Sequence, residues 1–360
     1  MYHLHRDMNK LLLIGILSIY SFSTYSIEGQ NVDSIKSNYI ATQLFSDQKP
    51  LQIQLKFSLK DLKKTTNDST YMESMLYYKN ETTYWDSLKV KLKARGNFRR
   101  SNCYYAPLTL KLKKSVSKNT YFDGHNKLKV VLPCLIESDN DDFVLKEYMA
   151  YKLYEVISPL HFKTRLLDLE YIEDKGKRSK SNILKAIFIE DIDDVAERLG
   201  GNELKRRIHP LEQDDLASIR NAFFQYLIGN TDFSTRYLHN GKLVVIDKRI
   251  IPVPYDFDMS GLVNASYAVV SNVQNITLNI SDVTERVYKG YKRDEVLFEK
   301  VRKEFIVNKP RMITIIDNLE YHFEDRNHWV RAKRYISDFF EIIENEKSFK
   351  KHILDRARTE

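Results

Sequence analysis

The sequence lacks the residue patterns of several common enzyme sites. It has only two cysteines, Cys103 and Cys134, and no Cys-x-x-Cys or His-x-x-x-His spacing, which excludes a structural zinc site. It also contains neither the Gly-x-Ser-x-Gly elbow of serine hydrolases nor a P-loop. An oxidising compartment would allow the two cysteines to form a disulfide, but the sequence leaves this pairing open.

Long apolar runs are missing everywhere except near the N-terminus. There, basic residues precede the apolar residues 11–20, and Thr24 and Ser26 supply the small residues that a signal peptidase needs. The pattern predicts a signal peptide over residues 1–26 and export to the periplasm, the cell surface or the medium. The alternative, a membrane anchor, needs about 20 apolar residues, and this run is shorter.

The composition is typical of a globular protein, with 42% apolar and 29% charged residues. A net charge of +8 fits phosphate-bearing partners without requiring nucleic acid. The 23 tyrosines are scattered over strands and helices, which favours core packing over base stacking.

Apolar and polar residues alternate with period two in the first half, which predicts strands. The predicted strands are 51–59, 88–94, 108–112, 128–132, 166–172 and 183–189, with a helix at 143–157 between the fourth and the fifth. After residue 190 the pattern becomes mainly helical. The predicted elements there are a helix at 214–228, a hairpin of 243–246 and 250–253, and helices at 296–306 and 312–323.

Two acidic motifs flank the predicted hairpin. The helix before it leads into Asn230-Thr-Asp232, and the second strand leads into Asp256-Phe-Asp258, so these carboxylates can meet at one cleft. Phosphoryl transfer needs such an arrangement, because one carboxylate must orient or deprotonate the attacking hydroxyl while another holds Mg²⁺ against the phosphates.

The order of these elements and motifs resembles the CotH kinase family, a secreted branch of the protein-kinase-like superfamily, over roughly residues 88–265. The similar motifs are Lys93-Ala-Arg95-Gly96-Asn97, Pro107-Leu-Thr-Leu-Lys111, Asn230-Thr-Asp232 and Pro254-Tyr-Asp256-Phe-Asp258. Gly-Asn-Thr-Asp at residues 229–232 also resembles HipA-like kinases. A Gly-rich phosphate loop is missing here, as it is in CotH kinases.

The resemblance implies a role for individual residues of this chain. It implies Asp232 as the catalytic base, Asp256, Asp258 and Asn240 as Mg²⁺ or Mn²⁺ ligands, and Lys111, Glu147 and Arg95 as residues that bind ATP. One position departs from the family pattern, since Tyr237 stands where an Asn is expected five residues after the catalytic Asp. Either this loop is longer or the second metal position is weakened.

Each of these residues also has an ordinary structural interpretation. Asn-Thr-Asp and Asp-x-Asp are turn-forming compositions, and lysines on alternating strands commonly face solvent. Glu147 is equally compatible with a helix surface. The convergence of two acidic motifs favours the functional interpretation over these alternatives.

Together, the patterns and the resemblance predict a two-lobed α+β fold of the protein-kinase-like kind. Residues 27–190 would form a strand-rich lobe and residues 191–360 a helical lobe. The predicted function is an exported kinase that transfers phosphate from ATP to a hydroxyl, such as Ser or Thr of an exported protein. Two alternatives stay open: a kinase-fold binding protein without activity, and a nucleotidyl transferase that uses the same metal site.

Overall fold

The computed structural model describes residues 42–67, 69–80, 83–96, 98–136, 140–176, 179–271 and 278–359. The signal peptide predicted at residues 1–26 lies outside them. The strands are β1 (Leu51–Phe57), β2 (Met72–Lys79), β3 (Trp85–Ala94), β4 (Leu108–Leu112), β5 (Lys127–Val131), β6 (Thr164–Asp174), β7 (Ser179–Ile189), β8 (Asn202–Glu203), β9 (Gly241–Ile246) and β10 (Arg249–Pro254). The helices are α1 (Gln43–Ser46), α2 (Leu59–Thr65), α3 (Phe98–Asn102), α4 (Lys114–Ser117), α5 (Asn140–Ile157), α6 (Ile192–Arg198), α7 (Asp215–Leu227), α8 (Glu295–Asn318), α9 (Arg326–Glu344) and α10 (Glu346–His352).

Seven strands form a closed barrel in the order β1-β2-β3-β4-β5-β7-β6. The neighbouring strands are antiparallel except for β1 and β6, which pair in parallel with Leu51 opposite Leu167. Period-two alternation produces this arrangement, because successive side chains of a strand point to opposite faces. In β3, for example, Leu88, Val90 and Leu92 are buried in the barrel while the intervening lysines point outward.

The predicted two-lobed, protein-kinase-like fold is wrong. Strands β6 and β7 follow α5 in the chain, yet they join β1–β5 in one sheet that closes on itself. Helix α5 packs against β7 and α8, and one hydrophobic core runs from its residues into α7, α8 and α9. The fold is therefore a seven-stranded barrel with helices packed beside it, of mixed α and β content.

Strand β2 and helix α8 are among the elements that differ from the sequence predictions. Strand β2 was not predicted, because aromatic Tyr77 occupies an exposed position where alternation would place a polar residue. Helix α8 continues through Pro310, where the pattern predicts a break. Pro310 lies on the exposed side, while Phe305, Met312 and Ile316 anchor the opposite side of the helix in the core.

The elements that carry the acidic motifs lie next to one another. Helix α7 ends at Leu227, and Gly229 turns the chain with a left-handed φ of +59°. A Cβ at Gly229 would overlap the hydroxyl of Tyr335, and the left-handed φ would strain any residue other than glycine, so the position favours glycine. The hairpin of β9 and β10 then returns the chain to Asp256 beside this turn.

Across the described ranges, no helix has the length and apolar character needed to cross a bilayer.

Candidate functional site

The loop that follows α7 holds Asp232 in a fixed backbone conformation. The side-chain Oδ1 of Asn230 accepts a hydrogen bond of 2.9 Å from the N–H of Asp232. On the other side, the ammonium of Lys289 donates to the carbonyls of Thr231 and Phe233, at 2.7 and 2.8 Å. The residues before and after Asp232 are thus tied to one lysine. Asp232, Asp256 and Asp258 lie near enough for their charges to act on one another, and the region that they border is called the cleft below.

Among the residues that the structure describes, three side chains contact the carboxylate of Asp232. Asn240 donates from Nδ2 to Oδ2 at 2.9 Å and to the backbone carbonyl of Asp232 at 2.7 Å. Ser271 donates its hydroxyl to Oδ1 at 2.8 Å, and Nε2 of His239 lies 3.2 Å from the same oxygen. The bond to Asp232 raises the pKa of His239 above its ordinary value, although partial burial opposes this. These contacts fix the orientation of the carboxylate.

The second acidic motif is anchored by its central phenylalanine. Phe257 is fully buried, with its ring 4.6 Å from that of Tyr151 and 5.3 Å from that of Phe224. Asp256 has a left-handed φ of +65°, and its N–H donates to the hydroxyl of Tyr151 at 2.9 Å. A left-handed residue other than glycine costs about 1–2 kcal/mol and is found disproportionately at functional sites. The carboxylate of Asp256 lies near enough to Asp258 to raise the pKa of that side chain.

Behind Asp256 lies a buried cluster of two carboxylates and one guanidinium. Nη1 of Arg99 lies 3.7 Å from Oδ2 of Asp258 and 3.9 Å from Oε2 of Glu147. Burial raises the pKa of Asp258 to about 6, with the Asp256 carboxylate adding to the effect and Arg99 opposing it. Burial likewise raises the pKa of Glu147 well above its usual range. Oε1 of Glu147 is buried without a hydrogen-bond partner among the described residues.

Two basic residues, Lys129 on β5 and Arg95 directly after β3, lie near the acidic residues. The ammonium of Lys129 lies over two aromatic rings, 4.3 Å from the centroid of Tyr255 and 4.8 Å from that of Phe162. Burial, followed by the charge of Arg95, lowers the pKa of Lys129 to about 7, and Asp191 and Asp256 oppose the shift. Arg95 is also close enough to Glu147 to lower the pKa of that carboxyl.

The structure gathers most of the residues that the sequence singled out. Those in or beside the cleft are Asp232, Asp256, Asp258, Asn240, Glu147 and Arg95. Lys111 instead lies exposed on the outer face of β4, with its ammonium 5.8 Å from the ring centroid of Tyr71. Glu147 is paired with Arg99 and not with a lysine.

Several residues of the cleft were missed in the sequence. They are Arg99, Lys129, His239, Tyr267, Ser271 and Lys289. One sequence feature could have drawn attention to Arg99, namely its position four residues before Cys103. The Cys103–Cys134 disulfide joins the end of α3 to the segment after β5, with a Cα–Cα distance of 4.6 Å, and thereby fixes the helix that carries Arg99.

The donor set fits a divalent ion that is bound together with nucleotide phosphates. Among the described residues, no three His, Cys, Asp or Glu side chains are grouped closely enough to hold an ion alone. Mg²⁺ commonly binds through one or two carboxylates plus substrate phosphates and water, and does not need a cage made only of protein. The raised pKa of Asp258 and the unpartnered oxygen of Glu147 indicate that the cleft can accept further positive charge.

We expect Lys129→Met to stabilise the protein near neutral pH. The folded-state pKa of about 7 lies below the ordinary lysine value of about 10.4, so only the unfolded chain holds the proton between these values. Stability therefore rises with pH across this window in the wild type. The variant should melt roughly 2–5 °C higher at about pH 7, and the difference should vanish toward pH 10.

The measurement is the melting temperature between about pH 6 and pH 10, with Lys111→Met as the control on an exposed position. The control should leave the melting temperature and its pH dependence unchanged. A lower melting temperature for Lys129→Met at every pH would show that the aromatic contacts of the ammonium outweigh its burial.

Neither a protein-family model nor a curated protein sequence matches this chain. Its function is therefore argued from the geometry and the charges of the cleft.

Proposed function

We propose that the protein transfers the γ-phosphoryl group of ATP, bound with Mg²⁺ or Mn²⁺, to a hydroxyl of an exported protein. The observation that carries the proposal is the convergence of Asp232, Asp256 and Asp258 on one cleft with two basic residues at its edge. The barrel fold lends no support of its own, because function depends on the site and not on the fold. The resemblance to CotH kinases implies the same activity.

In this reaction Asp232 acts as the general base. Asn240, His239 and the loop hold its carboxylate in one orientation, so a hydroxyl placed at Oδ1 meets a fixed proton acceptor. The Asn240 amide occupies Oδ2, while Oδ1 accepts from Ser271 and lies 3.2 Å from Nε2 of His239, so a substrate hydroxyl would take the place of Ser271 at Oδ1. The proton of the attacking hydroxyl would pass to this atom.

The other groups bind the phosphates and the ion. Asp256 and Asp258 are the residues that would hold the ion, with the Oδ1 of Asn240 as a further candidate ligand. When bound, the divalent ion neutralises phosphate charge and makes the γ-phosphorus easier to attack. Lys129 and Arg95 supply positive charge for the phosphates at the opposite side of the cleft.

Three acidic residues whose charges act on one another have no evident purpose in a passive binding surface. Asp256 and Asp232 both raise the pKa of Asp258, which shows that the three charges oppose one another. A bound cation removes this cost. Metal binding should consequently weaken as the pH falls through about 6, where Asp258 takes up a proton.

The test is the melting temperature of the protein with ATP, in the presence and absence of Mg²⁺ or Mn²⁺. A ligand at about 100 times its Kd should stabilise the protein by about 2.7 kcal/mol, and we expect this only when metal is present. Asp256→Asn should lose the effect. Asp247→Asn is the matched control, because Asp247 is an exposed aspartate of the β9–β10 turn and is also left-handed, with φ +47°.

The outcomes separate the alternatives. Absence of any shift in the wild type would contradict the proposal and leave a binding protein without nucleotide chemistry. A shift that Asp256→Asn retains would place the nucleotide elsewhere. Where binding occurs, ATP labelled at the γ- or the α-position distinguishes phosphoryl transfer from nucleotidyl transfer.

A further inference from the structure

One serine already occupies the position where the proposed reaction requires a hydroxyl. Ser271 donates a hydrogen bond of 2.8 Å from Oγ to Oδ1 of Asp232, and this serine is only 7% exposed. The Asn240 amide binds Oδ2 and the backbone carbonyl, so Ser271 shares Oδ1 only with Nε2 of His239, which lies 3.2 Å away, among the described side chains. The protein thus presents a hydroxyl of its own to the base.

We infer that Ser271 is a self-modification site, phosphorylated by the same chain in the cleft of Asp232. This inference rests on the proposed function, and it names Ser271 as the first hydroxyl to accept the phosphoryl group. Oδ1 of Asp232 takes the proton from Oγ, and Oγ forms a bond to the γ-phosphorus of ATP. The bond from this phosphorus to the β,γ-bridging oxygen breaks, its electron pair leaves with ADP, and phosphoserine remains.

A purely orienting role for Ser271 accounts less well for the contacts. Asn240 bonds to Asp232 twice, and Lys289 holds the carbonyls on both sides of it, so the carboxylate is oriented without a hydroxyl. Of the described side chains that contact Asp232, Ser271 is the one whose donor is a hydroxyl. It is also the chemical type of acceptor that the proposed reaction uses.

Modification would change the cleft. A phosphoserine carries about −1.5 to −2 charges near neutral pH and repels a nearby carboxylate. A phosphate on Ser271 would therefore be driven away from Asp232, which frees Oδ1 for the hydroxyl of a second substrate. One turnover in the same chain thus prepares the site for transfer to another protein.

The experiment follows phosphate incorporation into the full-length protein, with γ-labelled ATP and Mg²⁺ or Mn²⁺, and locates it by mass spectrometry of peptides. We expect close to one phosphate per chain, on Ser271, with a rate constant that does not change on dilution because the reaction is intramolecular. Ser271→Ala should abolish the label, whereas Ser266→Ala, which removes an exposed serine of the same segment, should retain it.

A second measurement separates this inference from the proposed function. The same preparations are assayed for metal-dependent stabilisation by ATP and for phosphate transfer to added Ser- and Thr-containing polypeptides. Transfer to these polypeptides with Ser271 unmodified would overturn the inference and leave the function standing. Equal labelling of Ser271→Ala and wild type would also overturn it, and absence of ATP binding would overturn both.

Discussion

Arg99→Met should destabilise the protein by about 3–5 kcal/mol, because it leaves two buried carboxylates without their shared cation. Arg99 is 7% exposed, and Glu147 and Asp258 are 2% and 5% exposed. The guanidinium also donates to the carbonyl of Leu132, which loses its partner in the variant. Urea denaturation of wild type and variant measures the difference in free energy of unfolding.

The pH dependence and a neighbouring residue provide the controls. The loss should shrink as the pH falls below about 6, because carboxyl groups with raised pKa values take up protons in the folded state and become neutral. Arg100→Met removes an adjacent, half-buried arginine and should cost far less free energy of unfolding.

Replacing Arg99 by Met and Glu147 by Leu together should recover part of the stability that Arg99→Met loses. A loss below about 1 kcal/mol for Arg99→Met would show that the cluster is not a balanced ion pair.

Asp232→Asn should reduce phosphoryl transfer by about 10²–10⁴-fold while nucleotide and metal still bind. The amide keeps the size of the side chain but cannot accept the proton of the attacking hydroxyl at neutral pH. Initial rates give the loss of activity, and the metal-dependent shift in melting temperature shows that ATP binding is retained.

The exposed Asp247→Asn is the control for this substitution and should keep the wild-type rate. Loss of ATP binding together with activity would assign Asp232 to the metal site and not to proton transfer. An unchanged rate would remove Asp232 from the chemistry altogether.

Local elements of the fold could be predicted from the sequence, but their assembly could not. Alternation in β3, β4 and β5 depends on neighbouring residues, so each strand is visible in a short window. Closure of the barrel depends on the pairing of β1 with β6, which follows α5 in the sequence, so no short window of sequence contains both strands. The kinase-like interpretation failed at this point, because an open and a closed sheet have the same alternation.

The acidic residues of the site could be predicted because they stand in two short motifs. The basic residues could not, since Lys129 has the same strand context as the exposed Lys111. What separates these two lysines is the packing of Tyr255 and Phe162 over one of them. Arg99 is set apart in a similar way, by burial against Glu147 and Asp258.

The parallel pairing of β1 with β6 also determines when the barrel can be completed. Gln54 on β1 bonds to Glu170 on β6, 116 residues further along the chain. Contacts between residues so distant in sequence form slowly, because the intervening chain must lose its freedom first. Until β6 has been synthesised, β1 has an open edge that another chain could pair with. Closure removes that edge, so the finished barrel is protected in a way that the growing chain is not.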